Sequence, residues 1–195
     1  MSKCLRVVAA LLAVLMLVTG CGGAEKKPQS VSLPGISGPV SLGELMPDVT
    51  LGTDDGQVYK LSELLAEKKL VVLNFWFADC IWCVKEFPVM EVAYQRFQED
   101  VEILAMNPYD SPEDVAAFQK EHSLSMPMGF CSREPVLALG INSYPTSVFI
   151  DREGRICLIH SGAITDVAVF NQLFETFTAD DYTSRVYNSI NELLA

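Results

Sequence analysis

Hydrophobic and polar positions divide the chain into three stretches. An apolar run from Val7 to Val18 follows Lys3 and Arg6, the layout of a secretory signal. It is shorter than the roughly 20 apolar residues that a membrane span needs. From Gly22 to Gly43 the chain is rich in Gly, Ser, Pro and Lys, without periodicity, which reads as a tether. Some twenty such residues form a coil with an end-to-end distance of roughly 25 Å.

Beyond Gly43 the pattern becomes that of a folded domain. Leu70 to Phe77 is almost continuously apolar, as in a strand buried on both faces. Trp82 to Phe97 has helical spacing, with Pro88 predicted to kink or break it. Val101 to Met106 is a second buried strand. Ser111-Pro112-Glu113-Asp114 opens a helix through His122, with Ser as N-cap, Pro at N1 and acids in the first turn. Ser147–Ile150 and Arg155–His160 flank Asp151-Arg152-Glu153-Gly154, a hairpin signal. Asp54-Asp55-Gly56 suggests another hairpin nearer the start. Amphipathic helical stretches near Val167–Phe177 and Tyr182–Leu194 end the chain. Strands alternating with helices, then a hairpin and a helix, predict an α/β domain with a mixed sheet.

Composition narrows the partners. The 195 residues allow one domain plus an appendage, and a half-apolar composition supports a packed core. The expected division is a signal over 1–20, a tether over 21–43 and a domain over 44–195. A net charge of -11 makes nucleic acid and a bare anionic membrane poor partners, since both demand basic patches. His122 and His160 are the two histidines, so metal and Cys-His chemistry start with few ligands.

The cysteines carry the chemistry. Val18-Thr19-Gly20-Cys21 resembles a bacterial lipobox, which implies cleavage before Cys21 and lipidation of its thiol; a plain signal peptide is the alternative. With Cys4 removed and Cys21 lipidated, Cys80, Cys83, Cys131 and Cys157 remain, an even count that invites two disulfides. Cys80-Ile81-Trp82-Cys83 has the C-x-x-C spacing, after a buried strand and at the start of a helix. There the helix dipole and unpaired N–H groups stabilise a thiolate. Cys80 is the expected nucleophile and Cys83 the resolving thiol. A zinc half-site is the bland alternative, but two further ligands at metal spacing are missing, so no metal is expected.

With these motifs the chain resembles the thioredoxin-like thiol-disulfide oxidoreductases of the TlpA and ResA type, membrane-tethered on the outer face of bacteria. The resemblance runs from about Glu44 to Gly162. It includes Met46-Pro47-Asp48, Leu61-Ser62-Glu63-Leu64, Asn74-Phe75-Trp76, Glu86-Phe87-Pro88, Tyr144-Pro145-Thr146 and the Phe149–Gly154 hairpin. It implies a thioredoxin fold, a mixed central sheet flanked by helices, with an N-terminal hairpin, an inserted αβ element and extended C-terminal helices. It makes Pro145 a cis proline facing the C-x-x-C, with Tyr144, Pro145 and Trp82 as substrate-binding residues. It makes Glu86 a partly buried acid able to take the proton of the resolving thiol; a solvated surface Glu is the alternative. Phe75 and Trp76 read as core.

The sequence departs from the family beside the cysteines, with Asp79 where Trp is usual and Trp82 where Pro is frequent. Asp79 should oppose thiolate formation, so a Cys80 pKa above that of strongly oxidising relatives is expected. Cys131 and Cys157 are expected not to bridge. The family topology puts the Met126–Phe130 strand at one sheet edge and the Arg155–His160 strand at the other. Four strand spacings separate them by roughly 19 Å, against a Cα limit of about 7 Å. Cys157 reads as a small buried residue. Cys131 should emerge on the active-site side, either inert or as a third redox thiol.

The expected function is a disulfide reductase acting through a mixed disulfide, with no cofactor beyond the Cys80–Cys83 pair. The resemblance implies extracytoplasmic disulfide-containing clients, such as apocytochrome c or a methionine sulfoxide reductase. It also implies a membrane electron donor of CcdA/DsbD type and a lipid anchor in the membrane. A peroxiredoxin would need a Pro-x-x-x-Thr loop and an Arg partner. A copper chaperone would need C-x-x-x-C and a distal His, and a binding module would carry an incidental C-x-x-C.

Overall fold

The computed structural model describes residues 38–53 and 55–182. The signal segment, Cys21, the tether through residue 37 and the Tyr182–Leu194 stretch beyond Tyr182 lie outside them. Among the described residues seven strands form one mixed sheet in the order β2 (Val58–Lys60), β1 (Thr50–Gly52), β5 (Met128–Phe130), β4 (Val101–Asn107), β3 (Leu70–Phe75), β6 (Thr146–Asp151) and β7 (Ile156–Ser161).

The central strand β3 (Leu70–Phe75) is fully buried. It pairs in parallel with β4 (Val101–Asn107) and antiparallel with β6 (Thr146–Asp151). This is why its sequence is apolar on both faces rather than alternating. Strand β7 (Ile156–Ser161) returns antiparallel to β6 after a turn in which Gly154 has φ +78°. That left-handed conformation suits glycine. On the other flank, β5 (Met128–Phe130) lies parallel to β4 and is extended by the hairpin of β1 (Thr50–Gly52) and β2 (Val58–Lys60). The hairpin therefore takes the edge that the sequence reading gave to Met126–Phe130. The four spacings from β5 to β7 hold, and Cys131 and Cys157 are both unbridged and buried.

Helices cover both faces. On one side lie α2 (Ile81–Phe97), α3 (Pro112–Glu121) and α5 (Val167–Thr178). Phe87, Met90, Phe118, Phe170 and Phe174 pack there with Leu70, Val72, Trp76 and Phe149. On the other side α1 (Leu61–Glu67) and α4 (Arg133–Ala138) cover Val71, Leu73, Phe75, Leu104 and Val148. Ser111 caps α3 as expected, its hydroxyl accepting from Asp114 N at 3.1 Å.

Two expectations need correction. Pro88 does not break α2, which runs unbroken from Ile81 to Phe97. Pro88 is exposed, and the helix forgoes one hydrogen bond there, the one to the Val84 carbonyl. The packed unit also begins before Glu44. Val40 N donates to Leu139 O (3.1 Å), Gly43 N to Ile156 O (2.8 Å), and Ile156 N to Glu44 O (2.9 Å). Residues 40–45 thus join the domain and shield the start of edge strand β7. The Val167–Thr178 helix covers the sheet beside α2.

Candidate active site

The site lies where β3 ends. Trp76 N still donates to Met106 O (3.2 Å), so the strand's path persists one residue past its ladder. The chain then turns through Phe77, Ala78 and Asp79 into α2. That turn is held from β4: the Asp110 carboxylate accepts from Ala78 N (2.6 Å) and from Asn107 Nδ2 (2.7 Å). Asn107, fully buried, uses Oδ1 to accept from Tyr109 N and Asp110 N. Its carbonyl accepts from Cys131 N at 2.8 Å. One polar knot therefore ties together the loops at the ends of β3, β4 and β5.

Cys80 and Cys83 form a disulfide at the N-terminus of α2. Cys80 is the N-cap, and its Sγ accepts from Cys83 N at 3.1 Å. Cys80 is 7% exposed and Cys83 1%, so Cys80 is the more accessible of the pair. Ile81 and Trp82 project between them, 69% and 57% exposed. Lys85 Nζ sits 4.4 Å from the Trp82 ring centroid. Asp79 is exposed, so water screens its charge and weakens the opposition to a thiolate expected from sequence.

The Tyr144–Pro145 bond is cis, and Pro145 is buried. Gly162 N donates to Pro145 O (2.9 Å), anchoring this loop to the end of β7. Tyr144 packs edge-on against Phe77 (5.6 Å) and Tyr109 (5.4 Å), and those two rings meet at 5.3 Å. This aromatic trio joins the cis-proline loop to the turn that precedes Cys80. The sequence reading did not foresee the parts taken by Phe77 and Tyr109.

Glu86 lies one turn past Cys83 and is 1% exposed, not a solvated surface residue. Its Oε1 accepts from Ile164 N (2.8 Å) and its Oε2 from Asn74 Nδ2 (3.1 Å). Burial pushes its carboxyl up to about 7, and the two hydrogen bonds oppose that rise. Asn74 Nδ2 also donates to Ser147 Oγ at 2.9 Å. Asn74 and Ser147 were missed as site residues. The signal was available, because a lone amide inside an apolar strand must find buried partners. Cys131 follows β5 at the same strand end as the disulfide but packs in the core layer on the opposite face, and burial pushes its thiol up to about 12. That favours the inert reading over a third redox thiol.

Known proteins resemble this chain in sequence and fold. Residues 42–159, well over half the chain, match the family model described as AhpC/TSA family. The chain belongs to the AhpC/TSA family. It is 33% identical over 128 residues to Thiol-disulfide oxidoreductase ResA of Geobacillus thermodenitrificans (strain NG80-2), covering 65% of this chain and 72% of that one. It is 32% identical over 136 residues to ResA of Bacillus subtilis (strain 168), covering 69% and 75%. Among solved structures it superposes on a thiol:disulfide interchange protein of the thioredoxin family from Chlorobium tepidum TLS. There the TM-score is 0.64 at 20% identity, over 72% of this chain and 99% of that one, which establishes the thioredoxin-like fold. Together with the Cys80–Cys83 pair, these relatives make this AhpC/TSA member a thiol-disulfide oxidoreductase of the ResA type.

Proposed function

We propose that the protein is a disulfide reductase for extracytoplasmic clients, working through Cys80 and Cys83. The observation that carries this reading is the disulfide at the start of α2, with Cys80 the more exposed sulfur. In the reduced protein the Cys80 thiolate, stabilised by the Cys83 N–H and the helix N-terminus, attacks a client disulfide. A Cys80–client S–S bond forms, the client S–S bond breaks, and one client thiolate leaves. Cys83 then gives its proton to the Glu86 carboxylate and attacks Cys80 Sγ, releasing the second client thiolate. Two electrons have passed to the client, and the product is the Cys80–Cys83 disulfide.

Tyr144, Pro145 and Trp82 line the approach to Cys80, and the client's extended segment lies against the cis-proline loop. Apocytochrome c and methionine sulfoxide reductase are the client classes proposed. Electrons to re-form the dithiol come from a membrane donor of CcdA/DsbD type. Cys21 carries the lipid that holds the domain at the outer face of the cytoplasmic membrane. Among the described residues no helix is long and apolar enough to cross a membrane.

Reduction of insulin disulfides with dithiothreitol as electron source tests the chemistry. Cys80→Ser should abolish it, and Cys83→Ser should accumulate mixed disulfides that identify the client in cells. Full turnover by Cys80→Ser would overturn the reading, and peroxide-dependent oxidation of Cys80 at a comparable rate would replace it with a peroxidase.

A further inference from the structure

Asn74 is fully buried, and its two polar ends are treated unequally. Nδ2 spends both hydrogens, one on Glu86 Oε2 and one on Ser147 Oγ, whereas Oδ1 has no partner. An unpaired buried acceptor is tolerated more readily than an unpaired buried donor. The amide is therefore held in the orientation that wastes an oxygen and presents N–H to Glu86. This suits a carboxylate, which only accepts. It suits a carboxylic acid less, because a neutral carboxyl oxygen accepts more weakly and the amide has turned its own acceptor, Oδ1, away from the acid's O–H. Oε1 meanwhile accepts from Ile164 N. Rotating the amide by half a turn would offer Oδ1 to the acid, but would strip both N–H groups of their partners.

We infer that Ser147 is a positioning residue for the reaction: by accepting the Asn74 amide, it fixes that amide with N–H toward Glu86 and selects the charged carboxylate over the acid. Ser147 itself is not bonded to the carboxylate or to the thiols; it acts through Asn74. Its place follows from strand register. Asn74 faces Ser147 across β3 and β6, and Ser147 faces His160 across β6 and β7, so the three share one layer with Glu86. The inference rests on the reading of Glu86 as acceptor of the Cys83 proton.

Other titratable groups near this layer are few. On α2 they are Cys80 and Cys83, which titrate only when reduced, and exposed Lys85. Strand β6 contributes Asp151 at its far end, and β7 contributes Cys157 and half-buried His160. The loop into α5 ends in Asp166, the N-cap of that helix. Among the described residues, the groups that pull the Glu86 carboxyl down against burial are the Ile164 N–H and the Asn74 amide, both neutral. This separates the role of Ser147 from that of His160, its neighbour in the ladder.

The test follows the resolving step with the full-length protein. Reduced protein is mixed with an aromatic disulfide that releases a coloured thiolate. The second release, which needs Cys83, is timed from about pH 5 to about pH 9. Wild type should show a step at the titration of Glu86, and Glu86→Gln should remove it. Ser147→Ala should move the midpoint up by roughly half a unit to one unit, the worth of one hydrogen bond. Ser147→Thr, which keeps the hydroxyl, should return the midpoint to its wild-type position, and His160→Gln should not move it. Should the Ala variant fail to fold, the wild-type Asn74 side-chain amide resonances carry the test, and they should shift with the same midpoint as the step. A step that survives Glu86→Gln would sink the reading of Glu86. A step lost in Glu86→Gln but unmoved in Ser147→Ala, or moved instead by His160→Gln, would sink the inference about Ser147. Asn74 resonances indifferent to pH would sink it as well.

Discussion

Residue by residue, the site depends on burying groups that water would otherwise hold. Glu86 shows the thermodynamic consequence. Its carboxyl titrates near 7 in the folded chain, against 4.5 for the ordinary group, because burial penalises its charge. Between those values the folded protein binds more protons than the unfolded one. Stability therefore falls as pH rises through this window. Urea unfolding of the oxidised protein should show a loss of about 2–3 kcal/mol between pH 5 and pH 8 from this group. Glu86→Leu should flatten most of that slope, and a wild-type profile that rises over the window would contradict the assignment. Burial acts in the same sense on the two remaining thiols. Burial pushes both Cys131 and Cys157 up to about 12, so neither is a thiolate near neutrality. Iodoacetamide should label them only at the rate of global unfolding, while Cys80 in the reduced protein reacts at once.

At the scale of elements, the legible parts were those whose hydrophobic pattern is long or doubly buried. Strands β3 and β4 could be read because covering on both faces leaves an unbroken apolar run, and α3 because Ser111 and Pro112 mark its start. Helix α4 escaped notice: six residues with Pro135 among them are too few to show a period. Strand β5 is three residues long and owes its place to β4 and to Gly129. A Cβ at Gly129 would collide with Gly52 O of β1 and press on the Leu51 side chain, so glycine there lets the N-terminal hairpin dock. Gly129→Ala should destabilise the domain by about 1–3 kcal/mol, visible as a lower midpoint in denaturant. Exchange per folded molecule should stay unchanged, because the hairpin is far along the sheet from the disulfide. Of the site itself, the thiols, Glu86 and Pro145 were visible as motifs. The Asn107–Asp110 knot was not, since its partner, the Ala78 N–H, is a backbone group 32 positions away.

For the whole molecule, the sheet sets what can meet. Cys131 and Cys157 end up on strands four spacings apart and packed in opposite layers. Mass spectrometry of non-reduced peptides should find Cys80–Cys83 as the intramolecular cross-link of the domain, and a Cys131–Cys157 peptide would refute the topology. The two tryptophans also lie in contrasting places: Trp76 is sealed beneath Phe87 and Phe118, whereas Trp82 stands in water between the two redox sulfurs. Because a nearby disulfide quenches indole emission, the molecule carries two natural optical gauges. Reduction should brighten the red-shifted Trp82 band, and denaturant should carry the blue Trp76 band to the red. Trp82→Phe would then leave an emission that reports the packing of the core, and Trp76→Phe one whose light reports the electrons it holds.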